Sequence, residues 1–167
     1  MLHSAEYWIH HLELKSHPEG GYYKEIYRSD KTLSDVYLNI GSSGSHTMMT
    51  SIYYLLQGDD FSTLHRIRSD EVWTIIDGST AEIISFSERT PLKVHKLGFD
   101  VENGEYPQVI VQAGLWFGTK LTNRASYILT SCIVAPGFEF ADFEPGDRKI
   151  LEESFPQYWD RIRELTR

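Results

Sequence analysis

His65 and Glu71 stand six residues apart in LHRIRSDEVWTIIDG (residues 64–78), ahead of an apolar run that stops at Gly78. An imidazole titrates near neutrality and a carboxyl well below it, so this pair can do acid–base work in a pocket or supply half of a metal site. It can equally flank an ordinary turn between two strands. Alternate side chains of a strand share a face, which puts His65 and Ile67 on one side and Arg66 and Arg68 on the other. Beyond the turn RSD, Glu71, Trp73 and Ile75 again share a face. If that turn closes a hairpin, His65 and Glu71 project into one interior. An opposite charge at close range would then raise the histidine's pKa and lower the glutamate's.

Aromatic residues surround the pair. Trp73 follows Glu71 on the same face, Tyr53 and Tyr54 precede it in TSIYYLL, and Trp116 lies in VQAGLWFG with Gln112 four residues earlier. Aromatic walls with a few inward polar groups suit a sugar or another small organic ligand, although a small barrel can also pack such rings as solid core. The ligand-binding set expected from this pattern is Tyr54, Trp73, Gln112 and Trp116, around His65 and Glu71 as catalytic residues.

Other chemistry-bearing residues read as structure. HPEGG (17–21) has the paired glycines of an anion-binding loop but no lysine with serine or threonine behind them, so it is a turn in which His17 caps or packs. In VAPGFEFADFE the carboxylates form a solvated edge and the phenyl rings are pinned to the barrel. His3, His10 and His11 are surface or interface groups. Ser51, Ser62 and Ser131 lack the glycines of a nucleophile elbow, and Cys132 in ILTSCIVA is a core residue.

The elements that must position these groups are mostly strands. Ala5, Trp8, Ile9 and Leu12 recur at helical spacing behind Ser4, predicting an amphipathic helix over about 4–14. Strands are predicted at about 22–28, 47–56, 61–67, 71–77, 80–86, 92–97, 108–112, 115–121 and 126–134, separated by turn residues at sandwich or barrel spacing. NIGSSGSH (39–46) reads as a mobile loop. Tyr158, Ile162 and Leu165 mark a C-terminal helical tail over about 147–166. The chain of 167 residues is one domain, with a barrel over about 20–145.

A formal charge of −8 argues against nucleic acid or an anionic membrane as partner. The lone cysteine, the lack of a secretion signal in MLHSAEYWIHH and the absence of a long apolar run make a cytoplasmic protein the expectation. The tyrosine-rich edge strand 22–28 invites pairing, so a homodimer is expected.

The first motif of the cupin superfamily is similar to this stretch: His65, Glu71 and Gly78 stand at matching places, and Ile67 replaces its second histidine. Its second motif resembles VQAGLWFG, where Gly114 matches, Gln112 stands at the usual proline and Phe117 at the usual histidine. Two of the usual metal-site positions are thereby lost, and one histidine with one glutamate falls below the ligand count of catalytic metal sites. No metal or other cofactor is expected. A closer resemblance runs through HPEGGYYKEIYRS, TSIYYLL, HRIRSDEVW, AGLWF and TSCIVAPGFEFADFE, in order and spacing, to the cupin-5 family, a group of unknown function.

That resemblance implies an all-β jelly-roll β-barrel, an antiparallel double-stranded β-helix with short flanking N- and C-terminal helices, commonly dimeric, with a pocket in one mouth. Cupin epimerases of nucleotide-linked keto sugars use a barrel histidine as base, and His65 resembles it by position. Two functions stay open: a metal-independent epimerase- or isomerase-like enzyme acting on a small sugar-like substrate, and a non-catalytic small-ligand binding protein.

Overall fold

A computed structural model describes residues 3–34 and 45–167. Of the stretch expected to be mobile, residues 39–44 lie outside the described residues, whereas Ser45 and His46 begin a short strand. The first helix, α1 (Ala5–His11), starts where Ser4 Oγ accepts the Tyr7 N–H at 3.2 Å. Strands β1 (Lys15–Ser16), β2 (Tyr22–Arg28), β5 (Thr50–Gln57), β13 (Tyr127–Ala135), β7 (Asp70–Gly78) and β11 (Gln108–Val111) form one sheet, in the order β1-β2-β5-β13-β7-β11. The facing sheet runs β10-β9-β8-β12-β6-β14, built from β6 (Phe61–Arg66), β8 (Ala81–Phe86), β9 (Lys93–Leu97), β10 (Glu105–Tyr106), β12 (Trp116–Leu121) and β14 (Glu144–Pro145). β3 (Thr32–Ser34) and β4 (Ser45–Thr47) make a separate hairpin. This is the jelly-roll expected from the sequence. β2, where a dimer contact was expected, is met on its outer edge by β1 at Tyr22 and Tyr23.

Three apolar cores follow from strand alternation. Ile128, Cys132 and Val134 of β13 face the interior with Trp73, Ile75, Ile83 and Phe117. Tyr127 and Leu129, on the other face, pack with Leu55 and Ala5 beneath α1. The Trp8 indole N–H fixes that helix by donating to Asp77 at 3.0 Å. On the far side, Leu64, Ile84, Phe86 and Trp116 turn outward and are covered by Leu151 and Phe155, from α2 (Arg148–Ser154) and its C-terminal cap, and by Ile162 of α3 (Trp159–Ile162). Asp147 caps α2 by accepting two backbone N–H groups, from Lys149 and Ile150. A cavity remains between the two sheets.

The turn RSD does not close a hairpin. β6 and β7 belong to different sheets, so Arg66–Asp70 is a corner at which the chain crosses from one to the other. His65 pairs with Phe117 and Pro145, whereas Glu71 pairs with Val111 and Val134. The two side chains therefore approach the interior from opposite walls. Among the described residues, no helix is long and apolar enough to cross a membrane.

Candidate functional site

A cavity of about 300 Å³ lies between the sheets, and His65, Glu71, Tyr54 and Trp73 all line it. His65 is 4 % exposed and Glu71 7 %. The residues that contact His65 most closely are ones the sequence reading set aside. The turn His17–Gly21 folds over the cavity because Thr63 of β6 binds the Glu19 carbonyl twice, through its N–H at 3.0 Å and its hydroxyl at 2.7 Å. This staple places the Glu19 carboxyl 3.3 Å from His65 Nδ1 and brings His17 into the wall. His17 is thus a cavity residue as well as a turn residue. Glu19 also accepts from Ser62 Oγ at 3.1 Å.

Hydrogen bonding fixes which nitrogen of each histidine carries a proton. His65 Nδ1 lies 2.7 Å from the Thr63 carbonyl, which can only accept, so Nδ1 is the N–H and Nε2 keeps the lone pair. His17 Nδ1 receives the Glu19 backbone N–H at 3.2 Å, so its lone pair sits there and Nε2 is the N–H. The two rings have opposite tautomers. Burial lowers both pKa values to about 4, and His17 is pushed further by the nearby His65.

The carboxyls move the other way. Burial raises Glu19 to about 8, with Ser62 opposing. Burial and the neighbouring Glu19 raise Glu71 to about 8, opposed by Trp73 and Cys132. The Trp73 indole N–H lies near the Glu71 carboxyl, but its Nε1 makes no hydrogen bond of regular geometry. At neutral pH the site therefore holds neutral imidazoles opposite protonated carboxyls. This reverses the expectation of a charged His65–Glu71 pair: the histidine's carboxyl neighbour is Glu19, and burial is the largest cause of the shift at all four groups.

Two expected ligand-binding residues lie elsewhere. Gln112 is exposed in the turn after β11, because the strand ends at Val111. Trp116 points out of the barrel into the core beneath the C-terminal helices, with the Arg66 guanidinium 4.6 Å from its ring centroid. Its neighbour Phe117 takes the inward place, 4.1 Å from the His65 ring. The open end of the cavity is formed by Phe138 and Phe140 with Arg28, which is held by Glu25 at 2.8 Å and Glu139 at 2.9 Å. Of the phenyl rings expected to be pinned to the barrel, Phe138 and Phe143 pack against its core, whereas Phe140 is 68 % exposed. Cys132 lines the cavity but is fully buried, and burial beside Glu71 pushes its thiol well above the usual range. It is no thiolate nucleophile.

The family model described as Cupin superfamily (DUF985) matches residues 6–145. The chain belongs to the cupin-5 family. It is similar to the uncharacterized protein YML079W of Saccharomyces cerevisiae, 31 % identical over 147 residues, covering 83 % of this chain and 73 % of that one. Among solved structures, a hypothetical protein from Leishmania major superposes with a TM-score of 0.89 at 32 % identity, covering 98 % of this chain and 99 % of that one. Protein SO0799 from Shewanella oneidensis does so with a TM-score of 0.89 at 33 % identity, covering 99 % of both. Oxalate decarboxylase of Bacillus subtilis, at 13 % identity and a TM-score of 0.54 over 89 % of this chain and 37 % of that one, shares the cupin fold alone. Among the described residues, no group of three or more His, Cys, Asp or Glu side chains is placed to hold a metal ion.

Proposed function

We propose that this cupin binds a small carbonyl compound in the barrel and moves a proton on the carbon beside the carbonyl, as an epimerase or isomerase does. The observation that carries this reading is one cavity between the sheets that holds both a histidine kept neutral and a carboxyl kept protonated. Environments that drive acid and base pKa values in opposite directions are how one site keeps both partners in their working forms. His65 Nε2 takes the proton from carbon, and Glu71 donates to the carbonyl oxygen as the enol forms. His65 then returns the proton to the same or the neighbouring carbon while the Glu71 carboxylate retakes a hydroxyl proton from the enol, which restores a carbonyl and both protein groups. For inversion, Tyr23, which also lines the cavity, is the candidate donor on the opposite face. Tyr54 is less suited, because its hydroxyl already donates to the Gly20 carbonyl at 2.8 Å.

The weak basicity of His65 has a cost. Charging a base of pKa about 4 at pH 7 takes about 4 kcal/mol. Developing negative charge on the substrate, stabilised by the Glu71 O–H, must offset it. That cost also favours the second reading, a cupin that holds its ligand without chemistry. The readings separate by NMR in D2O with a panel of small keto sugars. The enzyme reading expects solvent deuterium to enter the carbon beside the carbonyl with the wild type, and at least 100-fold more slowly with His65→Ala, the usual scale for a lost general base. Saturable binding without exchange across the panel would leave a binding protein.

A further inference from the structure

The charge balance of the cavity narrows its ligand. Glu19 and Glu71 are both buried in it, and Glu25 stands at its mouth. Among the described residues the one cation in its lining, Arg28, is committed to Glu25, to Glu139 and to the Phe138 carbonyl at 3.2 Å. His17 and His65 cannot supply the missing charge. Protonating His17 at Nδ1 would break its bond from the Glu19 N–H, and both rings are desolvated. Among the described residues, the two interior carboxyls thus share the cavity with no uncommitted cation; they keep their protons there, and one can ionise at neutral pH beside a cation brought from outside.

A further feature points the same way. Aromatic rings form much of the wall: Tyr23, Tyr54, Trp73, Phe138 and Phe140. Aromatic faces attract an organic ammonium group and offer nothing to a phosphate or carboxylate. We propose that the ligand carries a protonated amine, held by Glu19 and Glu71 against the aromatic wall. This rests on the cavity being the ligand site and makes the substrate an amino-bearing carbonyl compound, such as an amino sugar or amino ketone. One bound ammonium ion neutralises one carboxylate. That carboxylate is Glu19, and Glu71 keeps its proton and remains available as the acid.

Benzylamine and benzyl alcohol are near-isosteric probes that differ in this charge. Their dissociation constants are read by NMR titration of the whole protein at pH 7.5. The expected result is that the amine binds at least 10-fold more tightly than the alcohol. Glu19→Gln should remove at least 10-fold from amine binding and change alcohol binding less than twofold. Equal or tighter binding of the alcohol would overturn the ammonium proposal while leaving the cavity as the ligand site. Failure of both probes would overturn the two together, and amine binding unaltered in both Glu71→Gln and Glu19→Gln would place it outside the cavity and refute the proposal. Should the variants fail to fold, calorimetry of the wild type with benzylamine in two buffers of different ionisation enthalpy decides. Release of about half a proton per amine bound, as carboxyls titrating near 8 require at pH 7.5, supports the proposal, and none released contradicts it.

Discussion

Stability should fall steeply between pH 6.5 and 8, a range in which many proteins are insensitive to pH. Glu19 and Glu71 keep their protons in the folded chain to about pH 8 and lose them near 4.5 when unfolded. Folding is therefore linked to proton uptake between those values, and these groups make stability drop as pH rises. His17 and His65 act oppositely: neutral in the fold down to about pH 4 and protonated below 6.5 when unfolded, they make stability climb over that window. From about 4.5 to 6.5 the two carboxyls and two imidazoles cancel. Above 6.5 the carboxyls dominate, and after their own titration near 8 and the tail of the imidazoles the drop to pH 8 amounts to about 2–3 kcal/mol. Urea midpoints at pH 6.5 and 8 measure the drop. Glu19→Gln and Glu71→Gln should each reduce it by about half, since an amide does not titrate. A flat or rising profile over that interval would mean that the carboxyls are ionised in the fold.

A second large effect is expected at the turn that carries Glu19. Gly20 adopts φ +112°, and a Cβ there would run into the carbonyl oxygen of Phe61 in β6. Gly20→Ala should destabilise by about 3–5 kcal/mol, from left-handed strain together with a clash against backbone that cannot rotate away. For a chain of this size that corresponds to a melting temperature lower by roughly 10 °C. Gly104→Ala is the control, because Gly104 also has positive φ, +78°, but nothing within 4 Å of a Cβ. It should cost about 1 kcal/mol, the strain alone. Because the Gly20 carbonyl accepts the Tyr54 hydroxyl and the Glu19 carbonyl is bound by Thr63, the Gly20 variant should also lose ligand binding. Equal melting temperatures for the two variants would show that the turn yields without disturbing β6.

The strands were legible because their signal is local. β2, β6, β8 and β13 fall within a residue or so of where alternation and turn residues put them, and the Ser4 cap of α1 is read directly from its hydroxyl. Side-chain direction on one strand was equally legible: His65 and Ile67 inward, Arg66 and Arg68 outward, with Arg66 bonded to Glu144 and Arg68 beside Asp142. Partner choice between strands was not. Nothing local distinguishes a turn that closes a hairpin from a corner that changes sheets, so His65 and Glu71 looked like neighbours on one ribbon when they face each other across two walls.

The same limit hid Glu19. A glutamate in a Pro-Glu-Gly-Gly turn resembles a solvated residue, and its burial depends on a contact with Thr63, 44 positions later. The polar pair Ser62 and Thr63 inside a buried strand was the available trace, since buried hydroxyls need partners. Trp116 failed for a different reason. The outer face of β12 is as apolar as the inner because the C-terminal helices cover it, so the inward ring could not be chosen between Trp116 and Phe117.

The protonation state of His65 is the most direct test of the account, and nitrogen-detected NMR of the imidazoles reads it. At pH 7 the account predicts a neutral ring with its proton on Nδ1, uncharged down to about pH 4, and the opposite tautomer at His17. A doubly protonated His65 at pH 7 would mean an ion pair with an ionised Glu19, and the neutral base on which the proposed chemistry depends would not exist.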